Sequence, residues 1–110
     1  MLEILFNNRN TERILFYLQR QQRVYAGQLV AAFSVSLFGI QKTLQKLERA
    51  GILVSKLEGN TRFYYYNPRY PFLKELQAFI EKAYTFLPVD KKEPYEKIVR
   101  TRPRRSGKPL

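Results

Sequence analysis

The sequence predicts a mainly α-helical chain with one small β-hairpin, arranged as a winged helix-turn-helix. Two observations point there. Between Gln28 and Pro68 the chain runs helix, tight break, second helix and aromatic hairpin, and the second helix has one apolar face and one polar, cationic face. Ahead of that segment, Met1 to Phe6 is short and apolar, and Asn7 to Asn10 interrupts it. A helix is expected from Thr11 to about Gln21, with Asn10 as its N-cap. Ile14, Leu15 and Leu18 share one side, while Phe16 and Tyr17 put apolar bulk on the others. A helix that is apolar nearly all round is buried on more than one side, and in so small a chain another subunit is a candidate for the second side.

Gln22 to Val24 links to a helix from about Tyr25 to Phe33, whose inward side is Leu29, Val30, Ala32 and Phe33. Ser34-Val35-Ser36 is the turn, short and polar enough to end one helix and cap the next. In the second helix Ser36 is the N-cap, Ile40, Leu44 and Leu47 recur at helical spacing, and Gly51 after Ala50 is the stop. Gly27 and Gly39 lie inside helices, where glycine costs stability. Gly39 fits either close helix packing or close approach to a phosphate. The face opposite the apolar stripe collects Phe38, Gln41, Lys42, Gln45 and Arg49, with no acid among them. Amide and cationic side chains reach base edges and phosphates in a major groove. An ordinary solvated face would look the same; the adjoining hairpin favours the nucleic-acid reading.

Ile52–Leu57 and Arg62–Tyr66 have strand character, and Gly59-Asn60 between them signals a hairpin that Asn67-Pro68 ends. Alternation puts Phe63 and Tyr65 on one face, with Arg62, Tyr64 and Tyr66 on the other. Lys56 and Arg62 are read as phosphate contacts, and most of the tyrosines as cross-strand packing. Pro71 suits the first turn of a further helix running to about Leu87. Its apolar stripe, Phe72 to Leu87, is wider than a single packing contact needs, which implies burial against a partner helix as well.

From Pro88 the composition changes. Residues 91–108 contain eight basic and two acidic side chains, and prolines stand at 88, 94, 103 and 109 in the stretch from Pro88 onward. This reads as a basic tail that either follows a DNA backbone or straps a dimer through Tyr95, Ile98 and Val99.

Across the whole chain Lys and Arg total 20 against nine Asp and Glu, a net charge of +11 that suits a polyanionic partner. Cysteine and histidine are both absent. Disulfides are thereby excluded, along with thiolate and imidazole metal ligands and Cys or His catalysis. The acids are scattered, so an enzyme is not expected, nor is a cofactor or a metal. No apolar run is long enough to span a membrane and no signal-peptide pattern opens the chain, so a cytoplasmic protein is expected.

The stretch SVSLFGIQKTLQKLERAGILVSKLEGNTRFYYYNP, residues 34–68, resembles the helix-turn-helix and wing of ArsR-like winged-helix transcriptional regulators. Their pattern is a capped helix ending LxxLExAG, followed by a wing of the form EGNxRxYYxN. Leu5-Phe6 through Leu18, and Tyr70-Pro71 with Glu75-Leu76, are similar to a small prokaryotic subgroup whose domain stands alone or beside a minimal nucleotidyltransferase. The resemblance covers roughly residues 1–87, with 88–110 left as a tail. It implies a DNA-binding homodimer with DNA-facing positions at Ser36, Leu37, Phe38, Gln41, Lys42 and Gln45, and at Asn60 and Arg62 in the wing. It implies dimerisation through N- and C-terminal helices, where the apolar candidates are Leu5, Phe6, Phe16, Leu76, Phe79, Ile80, Ala83 and Tyr84. The chain departs from the pattern in two ways. Val24-Tyr25-Ala26-Gly27 stands where metal-sensing members carry a cysteine pair, so thiolate sensing is excluded. Leu37 and Phe38 are apolar where polar or small residues are usual; by position Leu37 turns to the core edge, and Phe38 points out toward a thymine methyl or covers a neighbour.

The leading expectation is therefore a sequence-specific, dimeric binder of double-stranded DNA, a regulator of repressor type. A second reading keeps the fold but uses the wide apolar helix to hold a nucleotidyltransferase-like protein or a toxin. A third is an architectural or RNA-binding protein dominated by its tail.

Overall fold

A computed structural model describes residues 1–96. Six helices and one hairpin follow in order: α1 (Glu3–Phe6), α2 (Arg9–Gln21), α3 (Ala26–Phe33), α4 (Leu37–Arg49), β1 (Leu53–Glu58), β2 (Thr61–Tyr66), α5 (Leu73–Thr85) and α6 (Val89–Glu96). Helix α2 is the axle. It packs against α1, α4, α5 and α6, and Ile14 through Leu18 are all buried. Its second burial surface is therefore supplied by the chain's own α5 and α6, not by the subunit contact that the sequence suggested. Phe16 is 0% exposed and meets the rings of Tyr84 and Tyr95 edge-on at 5.7 and 5.5 Å. Helix α2 also starts earlier than expected, because Asn8 and not Asn10 is the N-cap. The Asn8 carboxamide oxygen accepts from the backbone N–H groups of Asn10 and Thr11 at 2.7 and 3.2 Å.

The helix-turn-helix is held by local chemistry. Tyr25 N–H donates to Gln28 Oε1 at the start of α3, and Ser34 closes α3 in the left-handed region with φ 53°. Ser36 caps α4 as its sequence implied, its hydroxyl oxygen accepting from Gly39 N–H at 3.3 Å. At the other end Gly51 has φ 83°, Gly51 N–H bonds to the Glu48 carbonyl and Ile52 N–H to the Leu47 carbonyl. This paired closure satisfies the last carbonyls of the helix and needs a residue free to take positive φ. A Cβ on Gly39 would come within 3.3 Å of Asn10 Nδ2, so this glycine permits close approach of α4 to α2.

Strands β1 and β2 pair antiparallel from Leu53↔Tyr66 to Glu58↔Thr61. In the two-residue turn Gly59 takes φ 63°, the sign required at the first position of a II′ hairpin. The link before α3 also pairs with the hairpin. Val24 and Tyr64 exchange both backbone hydrogen bonds, at 3.1 and 2.7 Å, which pins the wing to the domain.

Helix α5 begins at Leu73, so Pro71 lies in the turn before it and not in its first turn. Ile80, Ala83, Tyr84 and Leu87 are buried in the chain's core. Phe16, Ile80, Ala83 and Tyr84 are thus core residues, where the sequence had offered them as dimer contacts. Leu5 and Phe79 remain exposed, and Phe6 and Leu76 are half-buried. Residues 89–96, expected to belong to a tail, instead fold back as α6. Tyr95 is the peg: it is buried against Phe16, Phe33 and Tyr84, and its carbonyl accepts from Gln21 Nε2 at 2.7 Å. Burial pushes the Tyr84 and Tyr95 phenols far above their ordinary range, so both stay neutral. Pro94 forgoes one helical hydrogen bond, a small loss in a helix of two turns. Ile98, Val99 and the basic residues from Lys97 onward lie outside the described residues. Among those described, no helix is long and apolar enough to cross a membrane.

Candidate nucleic-acid interface

Helix α4 buries Ile40, Thr43, Leu44 and Leu47 and leaves Phe38, Gln41, Lys42, Gln45, Lys46 and Arg49 exposed. The polar face read from periodicity is therefore open along its length. Thr43 is accommodated within the apolar side because its hydroxyl donates to the Gly39 carbonyl at 3.0 Å. Phe38 points outward, 72% exposed, with Lys42 Nζ 5.6 Å from the centre of its ring. Leu37 differs from expectation: it is 48% exposed and lines the groove in front of the helix, since the first helical residue projects beyond the core that α2 and α3 build.

The wing has two unlike faces. Strand register puts Ser55, Leu57, Arg62 and Tyr64 on the side toward α4, and Lys56, Glu58, Phe63 and Tyr65 on the other. Tyr64 is buried, and the half-buried Tyr66 donates its hydroxyl to the Leu15 carbonyl, so the Tyr64–Tyr66 face is the one docked on the core. Arg62 Nη1 donates to Ser55 Oγ at 3.1 Å, and Ser55 Oγ donates to Glu48 Oε2 at 2.7 Å. This relay ties the wing arginine to the end of α4. On the far face Arg23 stacks 3.9 Å over the Phe63 ring and pairs with Glu58 at 2.9 Å, while the Tyr65 hydroxyl donates to Glu58 at 2.8 Å. That hydrogen bond from Tyr65, followed by the Arg23 guanidinium, holds the Glu58 carboxyl below the usual carboxylate range. Lys56 sits here, 5.8 Å from the Tyr65 ring. Lys56 and Arg62, both read from the sequence as phosphate contacts, thus lie on opposite faces of the sheet, and only Arg62 is on the side toward α4.

A groove of about 400 Å³ runs between α4 and the wing. Leu37, Gln41 and Gln45 form one wall, and Asn60 and Arg62 form the other. Its floor includes Ala26 and Gly27 at the start of α3, which sequence reasoning missed. The signal for them was the short link before that helix, whose pairing with β2 draws the N-terminus of α3 toward the wing. The groove is open, and beside the apolar Leu37 and Leu44 its lining presents the amides of Gln41, Gln45 and Asn60, the hydroxyl of Thr61 and the guanidinium of Arg62, donors and acceptors suited to an extended polar ligand.

Two helices joined by a three-residue turn, with a hairpin pinned beside the second, leave one architecture. The chain has a winged helix-turn-helix fold. It is similar to the crystal structure of the adhesin competence repressor AdcR from Streptococcus pyogenes, with a TM-score of 0.53 and 18% identity over 76% of this chain and 69% of that one. No family model and no curated protein matches the sequence.

Proposed function

We propose that the chain is a sequence-specific binder of double-stranded DNA, acting as a homodimeric transcriptional regulator of repressor type. The observation that carries this reading is the open face of α4, whose amide and cationic side chains stand free of acids beside a wing that presents Asn60 and Arg62 across one groove. In this reading Gln41 and Gln45 read base edges, Phe38 meets a thymine methyl, and Lys42, Arg49 and Arg62 contact phosphates. Ser36 and Leu37 approach the backbone at the start of the helix, and Lys56 acts from the wing's far face. The net charge of +11 supplies the long-range attraction. The similarity in fold to a protein described as a repressor supports the regulatory reading, and the pattern of residues 34–68 supports an ArsR-like one. Exposed Leu5 and Phe79, with half-buried Phe6 and Leu76, are the surviving dimer candidates.

Selection of bound duplexes from a random pool tests this. The expected product is an imperfect inverted repeat with half-site centres about 10 bp apart, or a multiple of that. Gln41→Ala or Gln45→Ala is expected to cost about 1–3 kcal/mol on the selected site and little on random DNA. A pool that shows no enrichment would refute sequence-specific binding.

A further inference from the structure

A second cavity of about 400 Å³ lies at the other end of α3 from the groove and shares no lining residue with it. It forms because α6 docks at one end only. Tyr95 is the buried side chain of that helix, whereas Val89, Asp90 and Lys91 at its start are exposed. The space left between the start of α6 and the first turns of α2 is the cavity. Its walls are largely apolar: Phe33 from the last turn of α3, Leu87 from the corner before α6, and Pro94 and Tyr95 from α6 itself. The Phe33 and Tyr95 rings meet there with centres 5.1 Å apart.

The charges that line the cavity are answered unequally. Glu12 is buried, and its carboxylate accepts from the Leu2 N–H at 2.7 Å. Asp90 and Lys91 stand together at the rim and offset each other. Arg13 differs. It is half-buried, its guanidinium lies 5.3 Å from the centre of the Phe33 ring, and Nη1 donates to the neutral Asn10 Oδ1 at 3.1 Å. No carboxylate pairs with it among the described residues. A guanidinium held beside apolar walls keeps further donors in a planar fork that matches a carboxylate, and the two rings offer surface for an aromatic group.

We propose that this cavity binds a small aromatic carboxylate, its ring against Phe33 and Tyr95 and its carboxylate on the Arg13 guanidinium. The site is independent of the DNA-binding reading, because every wall belongs to one chain and none belongs to the groove. A ligand there bridges α2, α3 and α6, so it stabilises the docked α6 and raises the unfolding midpoint as its concentration rises.

Titration of the full chain with 2-naphthoate, followed by amide NMR shifts, tests the site. Binding at about 1 mM or tighter is expected, with the largest shifts at Arg13, Phe33 and Tyr95. The neutral 2-naphthalenemethanol and the Arg13→Gln variant are each expected to lose about tenfold in affinity. Two rim variants keep the test decisive if Arg13→Gln does not fold: Asp90→Asn should tighten naphthoate binding and Lys91→Gln should weaken it, each about two-fold. Equal affinity for the acid and the alcohol would overturn the carboxylate assignment. Shifts centred on Gln41 and Gln45, or none at millimolar naphthoate, would overturn the site and leave the DNA reading untouched.

Discussion

Helices α4 and α5 are each 13 residues long and each bury one apolar stripe, yet they turn opposite chemistry to solvent. Helix α4 shows glutamine, lysine and arginine along its open face, whereas α5 shows a line of phenylalanines with charges beside it. Their ends differ as well. Ser36 caps α4 with a side-chain hydrogen bond and Gly51 closes it, but the residue that precedes α5 is Phe72, which offers no side-chain cap. Helix α4 is therefore specified largely by its own sequence, and α5 depends on what it packs against. An exposed polar face with a rigid, capped start suits a hydrogen-bonded ligand. An exposed aromatic line suits another protein surface, because leaving it in water forgoes the free energy of its burial.

The sharpest way to break this contrast compares two phenylalanines. Phe16→Ala is expected to cost about 3–5 kcal/mol of chain stability, measured by urea unfolding, because Phe16 is fully enclosed by α2, α5 and α6. Phe79→Ala should leave the stability of the isolated chain nearly unchanged and act on association instead, seen by sedimentation. Equal losses of chain stability for the two would show that α5 has no free face. A smaller effect, on the order of 1 kcal/mol, is expected for Ser36→Ala. It should fray the start of α4 and weaken DNA binding more than it lowers the urea midpoint; an unchanged exchange rate at the Gly39 amide would contradict this.

The two faces of the wing sharpen the comparison further. Lys42→Ala is expected to weaken binding to all duplexes alike and to reduce the slope of log affinity against log salt by about 1. Lys56→Ala, on the far face, should change that slope less than Lys42→Ala or Arg62→Ala does. A larger effect at Lys56 would place the nucleic acid on the other side of the wing. The smallest effect concerns acid. The Glu58 carboxyl titrates below its unfolded value, so its contribution to stability is fully present above the usual carboxylate range and is lost as pH falls through the folded value. The wild type should then lose its advantage over Glu58→Gln below about pH 4. A constant difference in urea midpoint from pH 7 to pH 3 would show that Glu58 does not hold the far face.

The sequence by itself determined the elements whose signals are local. The Ser36 cap, the Gly51 stop, the periodic Ile40, Leu44 and Leu47, and the Gly59-Asn60 turn each act through hydrogen bonds or dihedral preferences spanning a few residues, and the structure forms every one of them. The open face of α4 was legible for the same reason. Only the tertiary structure decided what covers each apolar surface. Periodicity shows that Phe16, Ile80 and Tyr84 lie on apolar faces, but not whether the covering partner is another copy or the chain's own α5 and α6. Alternation shows that Arg62 and Tyr64 share a face, but not that the core takes the Tyr64 side and so leaves Lys56 on the other. Tyr95 sits in a segment that looks like a charged tail, and a single buried ring is enough to fold it back, because its pocket is assembled from α2, α3 and α5 and exists in none of them alone. Burial is a property of docked surfaces distant in the chain, and no local pattern encodes it.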